Sequence, residues 1–568
     1  MRKKQSVEKP STPNDSHVQA VSKLPHIRNN NNKDKFDRLF ELVPPIGTRW
    51  RWFDIPYRFI DFFLRSRFRH LIPSSGRRLL VRGINFFMAF EQHARNKIEV
   101  SDDPRINLII PEHARLRQGG IWTVELFPPS HYEALERSLN KNGWNRSPFS
   151  RFDEPNEKQV KRARAGRRFA WARMGAVAQS NTNYIFPDAK REDLPVEFEH
   201  IELTAVQLGT SVTALVAFFH LSKKGESSLN QIWKRKHQPT LTLQGFHRPK
   251  VTNRYFAAIE ATQRERMRIH DLARAWLSGQ CPGFFASRSD AHPVLDLNLF
   301  DGINPAEEED CQATKEALRA LGIDTRDVYR YVSPQIKGAA LIPYHARGGP
   351  HEPLRNCWAI AGEYQKTAFE NKRSNPGNNL PSPGELGYIF NHAAGTFTLY
   401  LAITAYLSEQ RAIYSTSRDL ASTRHQRFTV RRARRLSVEL LKSGLDLPAV
   451  ARDSKTLWDN HWILRNNINV KAIPLESHRE HFEPFDLIES FGKGNDTGFQ
   501  ELLKEDEFYR NALSTAAALG ASADAAATGK LALIVAAGSM IVATITLLIT
   551  EPSQASLWPE LIKYLRGD

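Results

Sequence analysis

With 568 residues, the chain is long enough for several domains, and its hydrophobic content of 41% supports packed cores. These values exclude a wholly disordered protein. Its three cysteines are odd in number and widely spaced, which excludes a disulfide framework and favours a reducing compartment. Lys and Arg outnumber Asp and Glu by 79 to 62, giving a formal net charge of +17. Such a basic surface predicts contact with anionic lipid headgroups or nucleic acid, or with solvent alone.

The N-terminal region divides into two parts. Residues 1–35 are polar and contain no apolar run, so they are predicted to be disordered and to lack a secretory signal. Residues 36–95 form a basic, aromatic-rich helical segment in which arginines alternate with apolar side chains. A helix beginning after Pro56 would place four apolar residues on one side: Phe59, Ile60, Phe63 and Leu64. We interpret it as a core-facing helix, with a membrane-surface helix as the alternative.

Residues 96–300 are predicted to form an α+β domain. Apolar or partly alternating runs predict strands at 121–127, 196–203, 211–221, 240–243 and 294–300. Between them, residues 253–277 have the length and charge pattern of a long helix. Strands grouped with long helices, without regular alternation, predict a mixed sheet rather than a doubly wound one.

Residues 301–495 are predicted to be mainly helical, with a loop at 370–385 that is rich in Pro, Gly and Asn. The predicted helices are 386–418, 429–443 and 449–467. The apolar stretch 397–407 is too short to cross a bilayer, so we expect a buried helix there.

Motifs that carry chemistry are weak. We find no Walker loop, no dinucleotide fingerprint and no nucleophile elbow. His478 and His481 have helical spacing for a shared metal, but Pro474 and Pro484 bracket them and disfavour a helix. Cys357 follows a polar segment with two histidines, but a Cys–His nucleophile requires contact that spacing does not show. The sequence therefore leaves any catalytic residue unidentified. It predicts no metal ligand and no cofactor, and a structural role for Cys357.

Two arginine clusters are candidates for binding a polyanion or lipid headgroups. Their members are Arg162, Arg164, Arg167, Arg168, Arg424, Arg427, Arg431, Arg434 and Arg435. Guanidinium groups in a row suit phosphate-rich surfaces. Anionic membrane lipids are the favoured partner, and a solvated basic face is the alternative. Nucleic acid is possible but not favoured, since no nucleic-acid-binding motif accompanies the clusters.

The C-terminal segment gives the most specific prediction. After an Ala-rich helical stalk at 496–530, residues 531–550 are twenty uncharged, mostly apolar residues, which as a helix span about 30 Å of bilayer. Ten Leu, Ile and Val residues favour insertion by about 3–6 kcal/mol. A buried core helix is the alternative, although the segment lacks a polar stripe. Residues 551–568 predict a short amphipathic tail.

The transmembrane helix carries small residues along one face. Steps of four and three join Ala532, Ala536, Ser539, Ala543 and Thr546, which predicts helix–helix packing and homo-oligomer formation. The alternative is chance, because the segment is rich in small residues. Basic residues flank the span equally, so orientation rests on the missing export signal. The missing export signal predicts a cytoplasmic N-terminal body and a C-terminal tail on the far side of the membrane.

Taken together, these features predict a fold and a broad class. The fold is an α+β cytoplasmic body, with a mixed sheet, long helices and then a mainly helical region, followed by a single C-terminal transmembrane helix. The favoured function is a non-enzymatic binding, sensor, effector or scaffold protein anchored in a membrane. Two alternatives are a tethered enzyme with an unrecognised site in the α+β region and a tethered binder of nucleic acid or another polyanion.

Overall fold

A computed structural model gives the fold of the protein. It describes residues 51–98, 103–144, 154–166, 170–181, 189–243, 249–287, 292–307, 311–324, 328–345, 353–372, 380–423, 430–459, 466–549 and 558–567. In some stretches, notably 430–443, the backbone alone is described. The contacts divide the chain into two units: residues 1–99 with 239–252, and residues 100–238 with 253–568.

Twelve α-helices are described. They are α1 Asp54–Arg65, α2 Ser74–Ile98, α3 Tyr132–Lys141, α4 Asn156–Ala165, α5 Lys223–Lys234, α6 Arg254–Gln280, α7 Gln312–Ala320, α8 Tyr364–Glu370, α9 Pro383–Thr423, α10 Val430–Asp459, α11 Leu487–Ile549 and α12 Trp558–Arg566.

Thirteen strands are described. They are β1 Arg115–Phe127, β2 Ala170–Gln179, β3 Ala189–Glu192, β4 Phe198–Gln207, β5 Thr213–Leu221, β6 Thr240–Leu243, β7 Pro249–Thr252, β8 Val294–Asp301, β9 Tyr329–Val332, β10 Ala339–His345, β11 Pro353–Glu363, β12 Lys471–Pro474 and β13 Phe485–Asp486.

The first unit contains α1, α2 and the β6–β7 hairpin. Three apolar side chains, Tyr57, Leu64 and Ile84, form its small core between the two helices. Phe59 and Phe62 on α1 are each 63% exposed. The sequence places Phe59 on a core-facing side of this helix, and the structure corrects that expectation for Phe59.

The second unit is built on one eleven-stranded sheet in the order β13-β12-β9-β10-β11-β8-β1-β5-β4-β2-β3. The β8–β11 and β2–β3 pairs are parallel, and the other pairs are antiparallel. The body is therefore a mixed α/β structure with a large sheet, as predicted in outline. Five strands of this sheet lie between residues 329 and 486, where the sequence predicts mainly helix.

Both faces of the sheet are buried, because side chains alternate between faces along each strand. On the first face, Trp122 and Val124 of β1 pack with Leu386, Phe390 and Phe397 of α9. On the second face, neighbouring strand residues pack against α3, α5, α6 and α7. This double covering explains why the central strands read as nearly continuous apolar runs.

Helix α9 lies close to the sheet because it carries glycine at the contact. A Cβ atom added at Gly387 would lie 2.7 Å from Cζ of Phe218 on β5, closer than Cβ atoms pack. Farther along, α9 packs with α10 and α11 through residues such as Leu457 and Phe499. The sequence predicts two helices across α10, but a single helix with Pro448 inside it is found.

Helix α11 leaves the core and continues to Ile549. Among the described residues it is the one helix long and apolar enough to cross a membrane, over Thr528–Thr546 with a mean hydropathy of 1.8. None of this window is buried, and Leu533 is 72% exposed. The alternative of a buried core helix is therefore wrong for this segment. Residues 550–557 lie outside the described part of the chain, and the tail includes α12.

Candidate functional site

A cluster of metal-ligand side chains lies on the first face of the sheet. His200 and Glu202 are two residues apart on β4, so both point to the same face. His220 on β5 is the antiparallel partner of His200. One donor atom from each of the three residues lies within 4.8 Å of the other two. We call this cluster the His–Glu–His centre.

The three side chains are buried. His200, Glu202 and His220 are 9%, 8% and 7% exposed. The two imidazole rings stack with centroids 3.7 Å apart, and His220 Nε2 lies 3.8 Å from Glu202 Oε1. That last distance is too long for a hydrogen bond. His220 Nε2 is thus a buried nitrogen without a hydrogen-bond partner in the described structure.

Burial keeps both histidines neutral. Desolvation lowers the pKa of His200 to about 4. It also holds the pKa of His220 well below its usual range, with the neighbouring His200 adding to the effect. A neutral imidazole presents the nitrogen lone pair that binds a metal ion. At neutral pH, the two rings are therefore already in the form that can act as ligands.

A second layer of side chains surrounds the centre. Asn391 of α9 donates a long hydrogen bond of 3.5 Å to Glu202 Oε2, and it accepts one of 2.9 Å from Trp122 Nε1. The ring of Trp122 stacks on that of Phe218 with centroids 4.3 Å apart, and the centroids of Phe218 and His220 are 4.0 Å apart. Side chains that orient ligands in this way tune metal sites in proteins. Helix α9 and strand β1 thus hold the carboxylate and one imidazole in place.

The turn between the two ligand strands is held by a carboxylate from α10. Buried Asp453 accepts hydrogen bonds from the backbone N–H groups of Ser211 at 2.6 Å and Val212 at 2.9 Å. These bonds hold the connection from β4 to β5. They therefore support the register that places His220 opposite His200.

Two imidazoles and one carboxylate form a donor set that suits a divalent transition metal. Catalytic zinc sites use three such protein ligands and leave a fourth position for water, and non-haem iron(II) sites use the same set. Ligand atoms around zinc lie about 2.0–2.2 Å from the metal.

The structure places the predicted arginines as follows. Arg162 pairs with Glu154 at 2.8 Å, and both line an open cavity of about 560 Å³. Arg164 donates to Thr213 at 3.0 Å and lies over the ring of Tyr132 at 4.0 Å. Each therefore has a partner within the protein, and neither belongs to the His–Glu–His centre. Their binding of a polyanion stays a prediction.

The other predicted arginines lie outside the described side chains. Arg167, Arg168, Arg424 and Arg427 fall outside the described residues. Arg431, Arg434 and Arg435 belong to α10, of which only the backbone is described there.

The small-residue face of α11 is open. Ala532, Ala536, Ser539, Ala543 and Thr546 are all exposed, as expected for a helix without a partner in this single chain. The neighbouring apolar side chains of the segment are exposed as well. Helix–helix packing through this face stays a prediction.

No sequence motif marks the His–Glu–His centre. The histidine pair with metal-ligand spacing in the sequence, His478 and His481, lies at a short 3-10 turn and is not part of a described metal-ligand cluster. The signal that was present is the alternation His-Ile-Glu on one predicted strand and a histidine on the next. Only the pairing register of the two strands joins these signals.

Comparison with known proteins gives no family for this chain. No protein-family model matches it, and no curated protein is significantly similar to it.

Proposed function

We propose that this protein is a membrane-anchored metalloenzyme whose His–Glu–His centre binds one divalent transition-metal ion. The observation that carries the proposal is the convergence of one donor atom from each of the three residues within 4.8 Å. In the same cluster, Nε2 of His220 is buried without a hydrogen-bond partner in the described structure. A buried polar atom without a partner costs about 1–3 kcal/mol, which a bound ion would offset.

The donor set supports a catalytic role for the ion. Structural zinc sites have four protein ligands, whereas three ligands leave a position for water or substrate. An ion held here would lower the pKa of a bound water toward 7 or polarise a substrate oxygen. We therefore favour the tethered-enzyme alternative over a purely non-enzymatic body.

Membrane attachment is the second part of the proposal. The exposed apolar window Thr528–Thr546 supports insertion into a bilayer, because such a surface is unfavourable in water. We propose that the body lies on the cytoplasmic side, that anionic lipids attract its basic surface, and that the small-residue face of α11 joins copies of the chain. These points do not depend on the metal centre.

A metal titration of the full chain in detergent tests the main proposal. After treatment with a chelator, we expect one Zn²⁺ or Fe²⁺ ion per chain and no comparable binding of Mg²⁺, which prefers oxygen ligands. His220→Gln should weaken binding by more than about 100-fold, because loss of a ligand exceeds the effect of outer residues. Asn391→Leu should weaken it by about tenfold.

His481→Gln is the matched control, since it removes an exposed imidazole. It should leave the affinity unchanged. Tight binding that persists in the His220→Gln and Glu202→Gln variants would place the ion elsewhere and contradict the proposal.

A further inference from the structure

Helix α6 carries three buried side chains in one row toward the second face of the sheet. Arg266, His270 and Arg274 are spaced four residues apart, so they lie on the same side of the helix. Their exposed fractions are 2%, 2% and 8%. Strands β8, β10 and β11 lie beneath them and contribute polar side chains to an otherwise apolar core.

The imidazole of His270 is held by a carboxylate. Its Nε2 lies 2.8 and 2.9 Å from the two oxygens of Asp296 on β8, which is fully buried. Asp296 also accepts a hydrogen bond of 2.7 Å from the hydroxyl of Tyr344 on β10. Asn298 donates in turn to that hydroxyl at 2.5 Å. The network therefore fixes the carboxylate and, through it, the ring of His270.

Cys357 of β11 completes the row. The imidazole of His270 hydrogen-bonds its thiol, and Nη2 of Arg274 lies 3.4 Å from its sulfur. Arg274 is itself held by the carbonyl of His292 at 3.1 Å and by Asp271 at 3.2 Å. Cys357, His270 and Asp296 are therefore arranged as a nucleophile, its general base and the group that orients the base.

The surroundings favour charge separation between sulfur and ring. Burial alone would raise the pKa of Cys357, but the hydrogen bond from His270 and the charge of Arg274 outweigh it, so the pKa is lowered. Burial alone would lower the pKa of His270, but the charge of Asp296 outweighs it, so that pKa is raised. By contrast, burial raises the pKa of the Cys281 thiol to about 12.

We propose that Cys357, His270 and Asp296 form a second site, a thiol nucleophile that accepts the acyl group of a small ester or thioester. The site lies on the opposite face of the sheet from the His–Glu–His centre and does not depend on it. Cys357 is 7% exposed, which restricts the substrate to a small acyl group. Cysteine and histidine lie 87 residues apart in sequence, and contact across the sheet brings them together.

The chemical step uses only these groups and water. The thiolate attacks the carbonyl carbon, a carbon–sulfur bond forms, and the electron pair moves to the carbonyl oxygen near Arg274. When the intermediate collapses, the bond to the leaving group breaks, and that group takes the proton of the His270 imidazolium. Water then hydrolyses the thioester, with His270 accepting its proton, and releases the carboxylic acid.

The test compares the cysteines of the folded, full-length chain in detergent with a chelator present. Iodoacetamide alkylation is followed at each cysteine by mass spectrometry between pH 6 and pH 8. An ordinary thiol with a pKa near 8.5 should react roughly 80-fold faster at pH 8 than at pH 6, because its thiolate fraction rises. We expect the rate at Cys357 to rise by well under about 80-fold over this range, because a larger share of this thiol is already thiolate at pH 6.

Two controls are built into the chain. Cys311 is exposed and serves as the comparison thiol, while buried Cys281 should react slowest. His270→Gln should convert the profile of Cys357 to the ordinary one. If that variant fails to fold, the pH profile of Cys357 in the unmodified chain still shows whether this thiol differs from an ordinary one. A profile at Cys357 like that of an ordinary thiol, or no alkylation there, would overturn the proposal.

A second readout tests acyl transfer itself. With 4-nitrophenyl acetate, we expect a burst of one equivalent of 4-nitrophenolate and an acetyl group on Cys357. Cys357→Ser should abolish the burst, and Cys281→Ser should retain it. A burst that survives in the Cys357→Ser variant would also overturn the proposal.

Discussion

Acidification of the metal-free protein should destabilise it through the buried imidazoles of the His–Glu–His centre. The pKa of His200 is about 4 in the folded chain, against about 6.5 when unfolded. Between these values the unfolded chain binds the proton more tightly, so stability falls as the pH falls. From pH 7.5 to pH 5, at about 1.36 kcal/mol per unit below the unfolded pKa, the loss is about 2 kcal/mol. The pKa of His220 is lowered as well, so this ring should add to the loss of stability.

The measurement is urea unfolding of the full chain in detergent and chelator at pH 7.5 and pH 5, followed by tryptophan fluorescence. His200→Gln removes one titrating ring, so its loss of stability on acidification should be smaller than that of the parent by about 2 kcal/mol. The exposed-site control His481→Gln should behave like the parent. An equal loss in His200→Gln and in the parent would refute the reasoning.

Two further predictions concern the scaffold and the anchor. Asp453→Ala should cost about 2–4 kcal/mol in urea unfolding, because it leaves two backbone N–H groups of the β4–β5 turn without their acceptor; a cost below about 0.5 kcal/mol would show that the turn does not depend on it. Replacement of Ala536, Ser539 and Ala543 by Leu should abolish oligomers in detergent gels and cross-linking. The off-face change Val535→Leu should retain them, and oligomers that survive the triple change would remove the argument for the small-residue face.

Local patterns predicted much of the body. Each predicted strand, such as 211–221, overlaps an observed one, because β-branched and apolar runs signal a buried strand. The long helix α6 and the apolar span in α11 were likewise visible in the sequence. The sequence does not predict strands β2, β3, β7, β9, β10, β11, β12 and β13. Strand β10 contains a proline, and the short strands among them depend on their neighbours in the sheet.

The sites were harder to predict because they depend on contacts between distant segments. His200 and His220 lie on two strands that the sequence did predict, but their pairing register was not assigned. Cys357 follows His345 and His351 in sequence, whereas its partner His270 lies on α6, 87 residues earlier in the chain. Spacing along the chain identifies neither contact, because sheet order and the placement of α6 decide both.

The most direct test of the central claim is to locate the ion. X-ray anomalous scattering at the zinc or iron edge, from crystals of the full chain grown without added metal, would show where it lies. The metalloenzyme proposal predicts one anomalous peak within about 2.0–2.2 Å of donor atoms of His200, Glu202 and His220. Crystals soaked with Zn²⁺ that show no peak between these side chains, or a peak elsewhere alone, would contradict it.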